Sequence, residues 1–146
     1  MRFYESRARS ETAPGRERQM ITLENNTLTF RFPGVHADAA CAIAFQRTLR
    51  IPDTSKNYPL PPGLGSFPLR HLDDYAGQIP ATWKSRGGVI MPMYQAEAMW
   101  LDFSAFEYPF AIKVAAGKIC ALTADPWVNH LNADPQDYLV VPEQLA

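Results

Sequence analysis

Five residues in the most apolar part of the chain carry groups that can do chemistry: Tyr94, Glu97, Trp100, Lys113 and Lys118. A lysine near a tryptophan and a carboxylate, pointing away from a core, suits an anionic or carbonyl-bearing ligand. The competing account is an ordinary solvent face with a cross-strand ion pair. Asp102 lies beyond Trp100 from Glu97. On a regular strand the parity of 97 and 102 puts the two carboxylates on opposite faces, which argues against an acid–base pair.

The other reactive types are scattered. His36, His71 and His130 have carboxylate neighbours in Asp38, in Asp73 with Asp74, and in Asp134. None of these pairs has a strong ligand spacing, so no metal or cofactor is expected. Cys41 and Cys120 both sit in apolar runs, where a thiol packs as a small hydrophobe, and free buried thiols are expected. A thiol inside an apolar strand also argues against Cys41 with His36 as a nucleophile pair.

These residues must be positioned by residues 87–123, the longest apolar region. Four short strands are predicted there, at 89–94, 98–103, 110–115 and 118–123, together forming one wall of a core. Ile112, Val114, Ile119 and Thr123 are β-branched and favour a pleated surface. Gly117 suits the tight turn between the last two strands. Pro92 lacks an N–H, so the first strand is predicted to be an edge or to be bulged.

Upstream, Asn25-Asn26 reads as a turn before an alternating strand at 27–32, with Leu28, Phe30 and Phe32 inward. A longer strand follows at 40–51, with Cys41, Ile43 and Phe45 on one face and a polar far half. Residues 52–68 are dense in proline and read as a rigid surface loop. Pro59-Leu60-Pro61-Pro62 matches PxxP only as a common chance pattern, and Gly63-Leu64-Gly65 lacks the Lys-Ser/Thr of a phosphate loop. Residues 69–86 are the best helical region, interrupted at Gly77 and Pro80. Residues 1–20 mix arginine and glutamate with few apolar side chains, which predicts a disordered tail ahead of a single β-rich domain over 21–146. The expected fold class is α+β, mainly β: an antiparallel sandwich or partial barrel with one or two short helices.

Composition narrows the partners. The chain has 146 residues, 47% of them hydrophobic and 20% charged, with a formal net charge of −1. That excludes disorder as the main state and supplies no global field for nucleic acid or an anionic membrane. No apolar run approaches the roughly 20 residues of a membrane span, and the N-terminus lacks the apolar core of a signal peptide. A soluble, cytoplasmic protein is expected.

Five strings carry a resemblance: FQRTLRIP from Phe45, YPLPPGLG from Tyr58, MPMYQAEAMWLDF from Met91, KVAAGKICALT from Lys113 and PQDYLVVPEQ from Pro135. On these the chain resembles a family of uncharacterised, mostly bacterial proteins. Members of that family continue past the position of Gln144 with a Pro-Trp-Leu-Asp-Gly run and a further β-rich half. Here only Leu145-Ala146 follow, so the chain resembles a shortened member. The resemblance carries no catalytic residue. It implies an open edge or apolar patch where a second half would dock. The segment from Asp137 to Val141 is the expected place, because Leu139, Val140 and Val141 cannot all point inward on a pleated strand. A homodimer through that segment is the corresponding expectation.

Two function classes remain. A non-catalytic binding or interaction module leads, since no motif supports catalysis. The alternative is a small-molecule enzyme using Lys113 or Lys118 with Glu97 and Tyr94.

Overall fold

The structure is a computed structural model that describes residues 20–105 and 107–142. The expected tail lies outside these residues except for Met20, which opens the first strand. The described chain falls into two compact units. One comprises Met20–Arg31 and Cys41–Ser104; the other comprises Phe32–Ala40 and the described residues from Ala105 onward.

The first unit is built on a four-stranded sheet of order β1-β2-β3-β6. Strands β1 (Met20–Glu24) and β2 (Thr27–Arg31) form an antiparallel hairpin, Met20 opposite Arg31 and Glu24 opposite Thr27. Asn25 and Asn26 turn it with φ of 49° and 62°. A two-residue turn with both φ positive matches the twist of the flanking strands, and asparagine tolerates that region. Strand β3 (Ala40–Leu49) pairs antiparallel with β6 (Glu97–Ser104), from Ala42 opposite Ser104 to Leu49 opposite Glu97 without a break.

Strand alternation then fixes the faces. Cys41, Ile43 and Phe45 are buried, as predicted. Leu28, Ile43, Phe45, Phe67 and Leu69 form the buried core, with Met99, Leu101 and Phe103 of β6 packed against it. Gln46, Trp100 and Asp102 therefore lie on the opposite, outer face.

Residues 50–69 contain no helix or strand, but they return along β3. Arg47 N–H donates to Gly65 O (2.7 Å), Leu64 N–H to Arg47 O (2.8 Å) and Phe67 N–H to Phe45 O (2.7 Å). This seats Phe67 in the core with no exposed surface. The predicted helical region is mostly something else. Arg70–His71 is a strand, β4, paired with β5 (Val89–Ile90); between them lie a 3₁₀ turn, Leu72–Tyr75, and one short helix, α1 (Ala81–Lys84). Backbone pairing outcompeted the weak helical pattern, which Gly77 and Pro80 had already cut short.

In the second unit β7 (Phe110–Ile112) pairs antiparallel with β10 (Leu139–Val141), and β8 (Ala115–Ala116) with β9 (Ile119–Cys120). Gly117, at φ 67°, turns the β8–β9 hairpin where the sequence predicts it. Phe32 and Phe110 pack with ring centroids 5.7 Å apart, and Tyr108 meets Phe110 edge-on.

The class is mainly β, antiparallel wherever a register is defined, with only short helical pieces. One expectation is corrected. The strands of residues 87–123 do not form one wall: they belong to four different sheets. Within that stretch only β8 and β9 pair with each other; β5, β6 and β7 each pair with a strand outside it, β4, β3 and β10.

Candidate functional site

The five candidate residues divide between the two units: Tyr94, Glu97 and Trp100 in the first, Lys113 and Lys118 in the second. Of the three charged candidates, Glu97 and Lys113 are each met by partners within their own unit.

Glu97 opens β6 on the core-facing side, one step diagonal from Arg47 of β3. Arg47 Nε donates to Glu97 Oε1 (3.0 Å) and Arg47 Nη2 donates to the same oxygen. Tyr94 N–H donates to Glu97 Oε2 at 3.0 Å, and Glu97 N–H returns a bond to Tyr94 O. The Glu97 side chain is 8% exposed. The Tyr94 N–H and then the Arg47 guanidinium hold its carboxyl below the usual glutamate range. Glu97 is therefore an ionised acceptor at neutral pH, with both oxygens engaged. Arg47 also lies over the Phe67 ring, 5.7 Å from its centroid. The alternation that buries Cys41, Ile43 and Phe45 puts Arg47 on the same face. A cation at a core-facing position calls for a carboxylate, and that signal was legible in the sequence.

Trp100 stands on the outer face, directly across from Gln46 and 40% exposed. Ser66 Oγ donates to Gln46 Oε1 at 3.3 Å. The buried Thr48 hydroxyl donates to Pro62 O at 3.1 Å. A Cβ on Gly63 would lie 3.6 Å from Trp100 Cζ2, so the chain at Gly63 runs close to the indole. The Tyr94 ring is exposed, although its backbone positions Glu97.

Lys113 follows β7. Its ammonium pairs with Asp137 Oδ2, donates to His130 O (2.8 Å), and lies 5.0 Å from the centroid of the Trp127 ring. The Lys113 and Asp137 side chains are 7% and 5% exposed. Asn132 completes the cluster: its N–H donates to Asp137 Oδ1 (2.9 Å) and its Nδ2 to Oδ2 (3.0 Å). The Asn132 N–H, then the Lys113 ammonium, keep the Asp137 carboxyl below the ordinary aspartate value. Beside it, the Thr123 and Leu122 N–H groups lower the pKa of the buried Cys120 thiol, with a smaller contribution from Lys113. Burial pushes the Cys41 thiol the other way, upward. Sequence reasoning missed Asp137, Asn132 and Trp127 as partners, because nothing in local spacing links them to Lys113. Lys118 is an exposed residue of the β8–β9 turn.

His36, His71 and His130 are exposed. Among the described residues no group of three or more His, Cys, Asp or Glu side chains is placed to hold a metal. A shallow depression of about 270 Å³ lies by the Asn25-Asn26 turn, lined in part by Arg70, His71 and Asp74. It contains none of the five candidates. No helix of the described residues is long and apolar enough to cross a membrane.

Against protein-family models, curated proteins and solved structures, the chain has no match. The geometry alone carries the functional argument.

Proposed function

We propose that the sheet unit is a non-catalytic binding module whose contact surface is strand β6 around Trp100. The observation that carries this reading is the internal pairing of the buried charges. Glu97 is taken by Arg47 and Tyr94 N–H, and Lys113 by Asp137 and His130 O. Groups committed to structural bonds are poor candidates for proton transfer or ligand capture. The side chains left to meet a partner are aromatic and apolar: Trp100, Tyr94, and Leu60, which is 85% exposed on the segment that Thr48 pins. Exposed aromatics on a fixed scaffold are the usual anchors of interaction surfaces. The net charge of −1 disfavours a nucleic-acid partner, and a cytoplasmic location belongs to the same proposal.

A small-molecule enzyme is the second reading, now centred on Lys113 and Asp137 with the Cys120 thiol, its pKa lowered by the Thr123 and Leu122 N–H groups, beside them. Compact clusters of perturbed groups concentrate at functional sites. Here a ligand would have to displace the internal ion pair.

A thermal-shift screen of small molecules and peptides separates the two, since specific binding raises apparent stability. The module reading expects hits whose shift disappears in a Trp100→Ala, Tyr94→Ala variant and persists in Lys113→Met. Hits with the opposite pattern would favour the enzyme.

A further inference from the structure

Strand β6 is the end of its sheet: among the described residues it pairs with β3 and with nothing else. Phe45 and Arg47 of β3 turn their backbone groups toward residues 64–67. The alternate residues Ala44, Gln46 and Thr48 therefore face β6, opposite Asp102, Trp100 and Ala98. By the same parity, Met99, Leu101 and Phe103 point their N–H and C=O groups away from β3. Arg50 N–H bonded to Ala96 O continues this register. Among the described residues the result is an open edge over residues 99–103 of an eight-residue strand, Glu97–Ser104; at its start the Glu97 N–H is already bonded to Tyr94 O.

Natural sheets blunt such edges with proline, lysine, bulges or short length. From residue 97 to 104 there is no proline, lysine or arginine, and the unbroken pairing with β3 leaves no bulge. The side chains tell the same story. Ile43 and Phe45 on β3 are 3% exposed, whereas their β6 partners Phe103 and Leu101 are only partly buried.

We infer that the occupant of this edge is a second copy of the chain, added antiparallel through β6 with Leu101 on the two-fold axis. This rests on the reading of β6 as the contact surface and names its partner. Charge selects the register. With Leu101 on the axis, Met99 meets Phe103, Ala98 meets Ser104, and Trp100 meets Asp102, each pair occurring twice by symmetry. Apolar side chains then face apolar ones on the core side, and the lone charge of the outer face of β6 meets an indole. Moving the axis to Asp102 sets two carboxylates face to face, which opposes pairing. Moving it to Trp100 brings Glu97 against Phe103 on the core side. The predicted dimer segment from Asp137 to Val141 offers less. Strand β10 has three residues, and Asp137 is already held by Lys113 and Asn132.

Sedimentation equilibrium of the chain and two variants at one position tests this. Trp100→Lys places a cation opposite the partner's Asp102, and Trp100→Asp places a like charge there; both lose the indole equally. The expected result is a reversible dimer whose Kd is about tenfold lower for Lys than for Asp. Leu101→Cys should also form an intermolecular disulfide under mild oxidation, since paired residues at the axis lie about 5.5 Å apart at Cα. The buried Cys41 and Cys120 of the unmodified chain give the background. If Leu101→Cys does not fold, a mixture of Trp100→Cys and Asp102→Cys chains should give the mixed disulfide. A monomer at every concentration, or a dimer indifferent to charge at position 100 and not cross-linked at these positions, overturns the inference. Neither outcome touches the ligand screen, which separately decides whether Trp100 binds anything else.

Discussion

Arg47 and Glu97 close the open end of the core face of β3 and β6: two guanidinium nitrogens converge on one carboxylate oxygen, and a backbone N–H holds the other. The pair lets a charged residue follow Ile43 and Phe45 in the core-facing row of β3 without an unmet charge.

Acid should therefore destabilise the protein through named groups. Glu97 and Asp137 both have folded pKa values below their ordinary ones, so each stabilises the fold at neutral pH. That contribution fades as pH falls below the ordinary carboxylate range near 4 and continues to fade through the lowered folded value. Urea melts at pH 7 and at about pH 3.5, just below the ordinary carboxylate range, should show Glu97→Gln and Asp137→Asn less stable than wild type at pH 7. At the lower pH the gap should narrow. Parallel pH profiles for Glu97→Gln and wild type would remove Glu97 as a cause.

Phe67→Ala is expected to cost about 3–5 kcal/mol, because the ring is wholly enclosed and its loss leaves a cavity. Trp100→Ala should cost only about 1 kcal/mol, because its indole lies on the outer face and stays 40% exposed. Chemical denaturation that ranks the two the other way would place Trp100 in the core.

Gly63, beside that indole, and Gly65 should respond differently to alanine. Gly63→Ala adds a Cβ at ordinary contact distance from Trp100 and should be neutral or stabilising by about 0.5 kcal/mol. Gly65→Ala meets no atom within 4 Å, yet φ is +84°, so a side chain there should cost about 1 kcal/mol or more in backbone strain. A pair of thermal melts decides; equal Tm values would mean that the 64–67 return is not rigid.

Removing the ammonium of Lys113 should leave Asp137 buried with Asn132 alone. Lys113→Met is expected to raise the Asp137 pKa and to destabilise the protein at pH 7. Adding Asp137→Asn should restore part of the loss. A double variant worse than the single one would show that the carboxylate is held mainly by the amide bonds and not by the lysine.

The sequence by itself determined faces and turns. Alternation placed Cys41, Ile43 and Phe45 inward, and the same parity placed Arg47 beside them. Asn25-Asn26 and Gly117 marked their turns because few other residues accept a positive φ. Those signals are local: a side-chain period and a backbone dihedral are set within a few residues. Only the tertiary structure decided which strands meet. Backbone ladder bonds are the same for any sequence, so the pattern on β6 says which side of it is apolar but not that β3 is its neighbour. The same limit hid Asp137 from Lys113, two charges brought together by the chain's course between β7 and β10. It hid Phe67 too, whose place in the core follows from its N–H reaching Phe45 O rather than from any pattern in the proline-dense residues around it.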